Sequence, residues 1–277
     1  MDKECFSRRR FLAMGGSVAS AAFASHAWGK EFKLARSYQL ALSTTSLLNS
    51  IGEDGGRISL LDVPQLVRAE FDLRAALLLN TQFERMDVEY VGQVHKALQK
   101  AQVDLPALLV QDVGNLGGGD VPVRATALSN YKSWVDRVVQ LDCKVMRIQW
   151  KGHERTTLRN PEELEAYINR SVMVMQQLCE YAAERGVTIL IETLGGPSSD
   201  PASLLKLLEL VKAENLGVMP NFGKFLRGTE LVENLTRLAP VSKMYMSSSR
   251  DFDELTGKSL DTDFEQAIIL VHDTLGY

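Results

Sequence analysis

The sequence predicts an α/β protein folded as a (β/α)8 barrel, and three observations carry that expectation. Short apolar runs alternate with amphipathic helical patterns along the chain, which is the arrangement of a parallel sheet covered by helices. Neither a Gly-x-Gly-x-x-Gly fingerprint nor a Walker loop follows any of these runs, so a nucleotide-binding doubly wound sheet loses support. Once an N-terminal leader is set aside, about 250 residues remain, the usual size of such a barrel.

Strands are expected at Tyr38–Leu42, Ala75–Leu79, Ala107–Gln111, Lys144–Gln149, Thr188–Glu192, Gly217–Asn221 and Ser242–Ser247. Their near-continuous apolar character suits strands buried on both faces. The chain reaches Gly276-Tyr277 where an eighth would begin, so the eighth strand is expected to be missing or incomplete.

Start signals mark the helices between them. Asp87 opens one with Tyr90, Val91, Val94 and Leu98 inward. Asn160-Pro161-Glu162-Glu163 combines an N-cap, a first-turn proline and a capping glutamate. Leu164, Ile168, Val172, Met175, Cys179 and Ala182 then mark one face, and Gly186 stops the helix. Asp200-Pro201 opens another, with Leu204, Leu207, Leu208 and Val211 inward, and Asp261 or Thr262 opens the last, with Phe264, Ile268 and Val271 inward. Gly117-Gly118-Gly119 reads as a flexible loop, because no lysine and hydroxyl pair follows it.

Ahead of this pattern, Ser7-Arg8-Arg9-Arg10-Phe11-Leu12 matches the twin-arginine export pattern. A weakly apolar stretch, Ala13 to Ala24, leads to small-residue cleavage positions after Ala24 or Ala27. Residues 1–27 are therefore expected to be a twin-arginine signal peptide and residues 31–277 a TIM-barrel domain, periplasmic or otherwise exported. Removing the leader takes away four basic and two acidic residues, so the net charge moves from -4 to -6. That balance, with no basic patch elsewhere, excludes nucleic acid as the partner. No apolar run approaches the roughly 18 residues of a membrane span, so none is expected after the leader. Cys143 and Cys179 are too few for a disulfide scaffold. They read as structural thiols, with a bridge between them left open.

In a barrel of this type the working residues sit at the carboxyl ends of the strands. Those ends carry Ser43 and Thr44, Asn80, Gln111 and Asp112, Gln149, Glu192, Asn221, and Ser247 and Ser248. Strand alternation places Met146 and Ile148 toward the helices and Arg147 and Gln149 inside. By the same rule Ile189 and Ile191 face outward and Glu192 points into the mouth. A carboxylate ending an apolar run is suited to base chemistry, or to a structural ion pair with Arg147. His153 falls on the rim after the fourth strand, whereas His95 and His272 lie within helices.

The run Tyr181-Ala182-Ala183-Glu184-Arg185-Gly186-Val187-Thr188-Ile189-Leu190-Ile191-Glu192 resembles the fifth-strand region of xylose-isomerase-like sugar phosphate isomerases and epimerases. Gly217-Val218-Met219-Pro220-Asn221-Phe222-Gly223-Lys224-Phe225 resembles their sixth-strand run, and Ser249-Arg250-Asp251-Phe252-Asp253 and Leu275-Gly276-Tyr277 resemble later family sequence. The resemblance implies a small sugar as ligand and one divalent metal (Mn, Mg or Zn) held by Glu, Asp, His and Glu from strands five to eight. It also implies an enediolate formed by carboxylate-driven proton transfer. Position by position, Glu192 matches the first ligand and the base. Asn221 stands where Asp is usual, the His-x-Lys run falls near Met246-Ser247-Ser248, and the fourth ligand would follow Tyr277.

The metal set left by these replacements is Glu192 with Asn221, short of the charged oxygens a hard dication takes. Lys151 or Lys224 is a candidate for the missing positive charge. Candidate substrate-binding residues are therefore Arg147, Gln149, Lys151, His153, Asn221 and Lys224, around Glu192 as catalytic base.

Two functions compete: an exported sugar (phosphate) isomerase or epimerase, and a catalytically inactive periplasmic barrel binding a carbohydrate or a protein. Convergence of Glu192, Asn221, Arg147 and a lysine would favour the first, and filling of that space by Met244 and Met246 the second. Unpaired edges of an incomplete barrel favour a homo-oligomer.

Overall fold

A computed structural model describes residues 40–48, 50–52, 57–151, 160–225 and 229–277. The signal-peptide reading of residues 1–27, the start of the first expected strand and His153 lie outside these residues. Six strands form one sheet: β1 (Leu42–Ser43), β2 (Ala76–Leu79), β3 (Leu108–Leu109), β4 (Val145–Ile148), β5 (Thr188–Glu192) and β6 (Leu216–Met219). They lie side by side in chain order, each pair parallel. Parallel neighbours need a crossover every time. Helices α1 (Val63–Phe71), α2 (Val88–Ala101), α3 (Val121–Gln140), α4 (Pro161–Ala183) and α5 (Pro201–Val211) supply it, followed by α6 (Thr229–Leu238) and α7 (Phe264–Ile269).

Period-two alternation divides the apolar residues into two layers. Leu78, Leu108, Met146, Ile148, Ile189, Ile191 and Val218 pack outward against the helices. Leu77, Leu79, Leu109, Leu190, Met219 and Met246 fill the inside, with Met244 packed against them.

Helix starts follow the expected caps. Asp87 accepts from Tyr90 N at 2.8 Å, Asn160 from Glu162 N and Glu163 N, and Asp200 from Ala202 N and Ser203 N. The last helix departs from expectation: its cap is Asp263, which accepts from Gln266 N. This turns Ala267 and Val271 inward and leaves Ile268 exposed.

The glycine-rich stretch after β3 is pinned rather than loose. Arg170 Nε donates to Gly117 O at 3.0 Å, and Arg124 Nη1 donates to Gly118 O and Gly119 O. Cys143 and Cys179 are free, buried thiols, not a bridge. Burial pushes Cys179 up to about 12, so it is an inert core residue.

The segment Ser242–Ser247, expected as a seventh strand, meets β6 only through isolated bridges, Val218 to Ser242 and Asn221 to Met246. Lys243 N donates to Val218 O and Met246 N to Pro220 O. A regular parallel ladder would next offer the N–H of residue 220 to the Lys243 carbonyl, and proline has no N–H to give. The segment also carries one more residue than β6 between these two bonds, a local bulge that interrupts the ladder. The Tyr277 hydroxyl donates to the Lys243 carbonyl instead, at 2.9 Å, and its ring stands edge-on to Tyr245 at 4.6 Å. Among the described residues no eighth strand follows, and no helix is long and apolar enough to cross a membrane.

Asp261 organises the excursion that leads into α7. Ser249 Oγ and Ser259 Oγ hydrogen-bond to its Oδ1, and Arg250 N donates to Oδ2 at 2.9 Å. Partial burial would raise its pKa, but these donors outweigh it and hold the carboxyl below its ordinary value of 3.8.

Two outcomes follow from this edge and its loop. Tyr277→Phe keeps the ring and removes the donor, and should lower unfolding free energy by about 1 kcal/mol in urea titration. A folded-state pKa depressed below the unfolded one contributes stability that is full above the ordinary value and fades as pH falls through the depressed value. The urea midpoint of the parent should therefore drop more steeply below pH 3.8 than that of Asp261→Asn, whose curve should run flatter there.

Candidate functional site

The carboxyl ends of the strands carry an arc of polar side chains that hydrogen-bond to the backbone or side chains of neighbouring strand ends. At β1, Thr44 Oγ1 accepts from Leu79 N at 3.0 Å, and Thr44 O accepts from Gln82 Nε2 at 2.9 Å. At β2 and β3, Asn80 mimics a backbone pair: its Nδ2 donates to Gln111 O, and its Oδ1 accepts from Gln111 N at 2.9 Å. Gln149 Nε2, beyond β4, donates to Gln111 Oε1 at 3.0 Å. The arc is uncharged up to this point.

Beyond it sit Arg147 and Glu192, the only charged side chains that are buried among the described residues. The β4–β5 register sets Arg147 beside Leu190, and the β3–β4 register sets it beside Leu109. Its stem therefore starts one inward layer below Glu192, among apolar neighbours, and its head rises to the carboxylate. Arg147 Nε lies 2.9 Å from Glu192 Oε2. The contact is close but misaligned: the N–H does not point at the oxygen, and neither atom has an aligned hydrogen bond. We read it as an ion pair held by proximity, since charge attraction depends on distance far more than on angle. Arg147 Nη1 also reaches Val110 O at 3.4 Å. Tyr131 lies nearby, its hydroxyl donating to Gln149 O, and burial pushes that phenol up to about 12 against the pull of Arg147.

Asn221 completes the constellation. Its Nδ2 donates to Glu192 Oε1 at 2.8 Å, and its Oδ1 accepts from Ser248 Oγ at 2.8 Å and Gly223 N at 3.1 Å. Its own N–H donates to Thr193 Oγ1 at 2.8 Å. These partners fix which way the amide faces: it must present N–H to the carboxylate. Removing one member of such a buried pair leaves an uncompensated charge, which typically costs about 3–5 kcal/mol.

Two glycines let the loops close over this spot. At Gly196, with φ +59°, a Cβ would stand 1.7 Å from Lys151 O. At Gly223 it would stand 2.0 Å from Ser248 O. Larger residues at either position would force the loops after β4 and β5, or β6 and the seventh segment, apart.

The sequence-derived candidates thus divide. Arg147, Glu192 and Asn221 meet, with Gln149 one step along the arc. Lys224 is exposed at the end of a short 3-10 turn (Phe222–Lys224), and Lys151 is half-buried. The cation against Glu192 is Arg147, where the sequence had pointed to Lys151 or Lys224. His95 Nδ1, in α2, contacts Leu141 O at the end of α3, and His272 contacts Asp273, both on the helical layer. Met246 fills the interior and Met244 packs beside it, while Arg147, Glu192 and Asn221 converge without a lysine, so neither expected alternative is met in full. Sequence reasoning placed Ser248 at a strand end without giving it a role, and missed Gln82 and Thr193. Thr193 acts on the backbone of Asn221 and carries no sequence signal. An open cleft of about 480 Å³ beside α6 and α7, lined by Val232, Asp263, Gln266 and Ile269 among others, shares no residue with this mouth.

The donor set does not fit a divalent metal. Among the described residues no group of three His, Cys, Asp or Glu side chains converges. Glu192 Oε1 accepts from Asn221, Oε2 lies against the Arg147 cation, and the Asn221 carbonyl oxygen already accepts two hydrogen bonds. A dication about 4 Å from the guanidinium would be repelled by about 8 kcal/mol at an effective dielectric of 20.

Comparison with solved structures shows the same architecture. The E. coli 3-keto-D-glucoside 4-epimerase aligns with a TM-score of 0.68 at 10% identity, over 86% of this chain and 88% of that one. A Mycobacterium smegmatis xylose isomerase-like TIM-barrel protein in complex with magnesium aligns at 0.63 and 15% identity, over 87% and 88%. The Methylomonas sp. D-allulose 3-epimerase aligns at 0.62 and 13%, over 84% and 81%. At these identities the likeness is one of fold. No curated protein matches the chain in sequence. The family described as xylose isomerase-like TIM barrel matches residues 68–264, from α1 to the start of α7. The chain belongs to the xylose isomerase-like TIM-barrel family.

Proposed function

We propose that the chain is an exported sugar isomerase or epimerase that moves a proton at the carbon beside the carbonyl of a small hydroxycarbonyl sugar, with Glu192 as the base. One observation carries this reading: Glu192, Arg147 and Asn221 converge at the carboxyl ends of β4, β5 and β6, with the Glu192 Oε2 atom buried and lacking an aligned donor. A misaligned carboxylate oxygen inside a barrel mouth is ready to exchange its contact for a substrate C–H. Membership of the family, and neighbours that are themselves named as epimerases, support the same class.

The chemistry balances with groups of this chain. The Glu192 carboxylate takes the proton from the carbon next to the carbonyl. The C–H electron pair becomes the carbon–carbon double bond, and the carbonyl pair moves onto oxygen as an enediolate. Arg147, one fixed positive charge beside the carboxylate, offsets that developing negative charge. Return of the proton from Glu192 to the former carbonyl carbon, with the neighbouring hydroxyl passing its own proton to the enediolate oxygen and becoming the new carbonyl, completes an isomerisation. Asn221 holds the carboxylate in place throughout. The neutral arc of Asn80, Gln111 and Gln149 offers amide donors and acceptors suited to sugar hydroxyls. Lys151, His153 and Lys224 are assigned to substrate binding by their place in the sequence, on segments following β4 and β6.

The test is solvent exchange. D-fructose, D-xylose and dihydroxyacetone are incubated with the protein in D2O, and deuterium entry beside the carbonyl is followed by NMR. The parent should exchange at least one of them, and Glu192→Gln should slow it by about 10²–10⁴-fold. Equal exchange by both would overturn Glu192 as base, and sugar binding without exchange by either would make the barrel a binding protein. Export is tested separately. Replacing Arg8 and Arg9 by lysine should leave the chain in the cytoplasm of an expressing bacterium, and unchanged periplasmic recovery would refute the twin-arginine reading.

A further inference from the structure

We infer that Arg147 is the permanent cation of this site, standing in for the divalent metal that the family resemblance implies, so that the Glu192 mouth binds its ligand without a metal ion. The inference goes further than the proposed function and rests on it only in taking that mouth as the working site.

Three observations support it. The first is charge. One buried carboxylate faces one buried guanidinium, and no other buried charge exists among the described residues. The pair is already neutral, so a dication added to it would leave two uncompensated positive charges in an apolar surround, an arrangement that buried sites avoid.

The second is the direction of the Asn221 amide. An aspartate at 221 would add the negative charge a metal needs but could not donate to Glu192. The asparagine donates to Glu192 Oε1 and has its oxygen occupied by Ser248 Oγ and Gly223 N. Its hydrogen bonds fit a site with one carboxylate and a cation already present, and they turn no free oxygen toward a metal.

The third is that Arg147 has little freedom to withdraw. It is 1% exposed, its stem starts beside Leu109 and Leu190, and its head lies between Glu192 and the Val110 carbonyl. The guanidinium is covalently part of the chain and, unlike a metal, cannot be chelated away.

The experiment reads metal content and thermal stability with no sugar present, so its result is independent of turnover. The full chain is purified without chelator, its Mn, Mg and Zn content is measured, and its melting temperature is recorded with EDTA and with Mn²⁺. The expected result is far less than one metal per chain and no shift with either addition. Glu192→Gln and the double variant Arg147→Met/Asn221→Asp are measured alongside. The double variant exchanges the fixed cation for a second carboxylate and should gain an Mn²⁺-dependent rise in melting temperature of several degrees.

One metal per chain in the parent, lost in Glu192→Gln, would overturn the inference. So would a folded double variant indifferent to Mn²⁺. If the double variant does not fold, the parent arm decides alone. Loss of exchange chemistry in the sugar assay, with these metal results intact, would sink the proposed function and leave the inference standing.

Discussion

A carboxylate and a guanidinium taken out of water together cost several kcal/mol each in lost hydration, which their attraction repays only when they stay in contact. Glu192 and Arg147 meet that condition because the parallel register sets β4 and β5 so that both side chains point inward, one layer apart. The rest of the mouth is arranged around them. Asn221 gives Glu192 an aligned donor, Thr193 and Ser248 fix Asn221, and Tyr131 and Val110 enclose the guanidinium. A slip of one residue between β4 and β5 would turn one partner toward the helices and strand the other. The ion pair thus depends on the sheet register and gives that register a large penalty for error.

The far edge of the sheet shows how one residue type alters topology. Pro220 ends β6 and withholds the donor that a seventh strand would use. The following segment then bulges, brings Met246 back into pairing and carries Ser248 to Asn221. A straight ladder would have held a different residue at that spot. Tyr277 bonds the Lys243 carbonyl and, with Tyr245, covers part of an edge that has no strand partner among the described residues.

Apolar and polar side chains share the inward face of the sheet. Leu77, Leu79, Leu109, Leu190, Met219 and Met246 form a packed apolar cluster, as in other barrels whose interiors are filled rather than hollow. The register sets Met219 beside Glu192, and a bridge sets Met246 beside Asn221, so apolar side chains flank the carboxylate constellation without removing it. The loops meet near it at Gly196 and Gly223.

Much of this was decided by the sequence itself. Alternation of apolar runs with capped helices sufficed for a parallel α/β barrel, because periodicity and caps are local properties, and the caps Asp87, Asn160 and Asp200 act where they were expected. Alternation within the strands also sufficed to turn Arg147 and Glu192 inward. Tertiary structure decided what local pattern cannot encode. It selected Arg147 over the lysines as the cation beside Glu192, because only register and side-chain reach determine which charge arrives there. It set the orientation of the Asn221 amide through Ser248, a partner 27 residues away. It broke the seventh strand, whose residues are apolar enough, because a proline on its neighbour has no hydrogen to give.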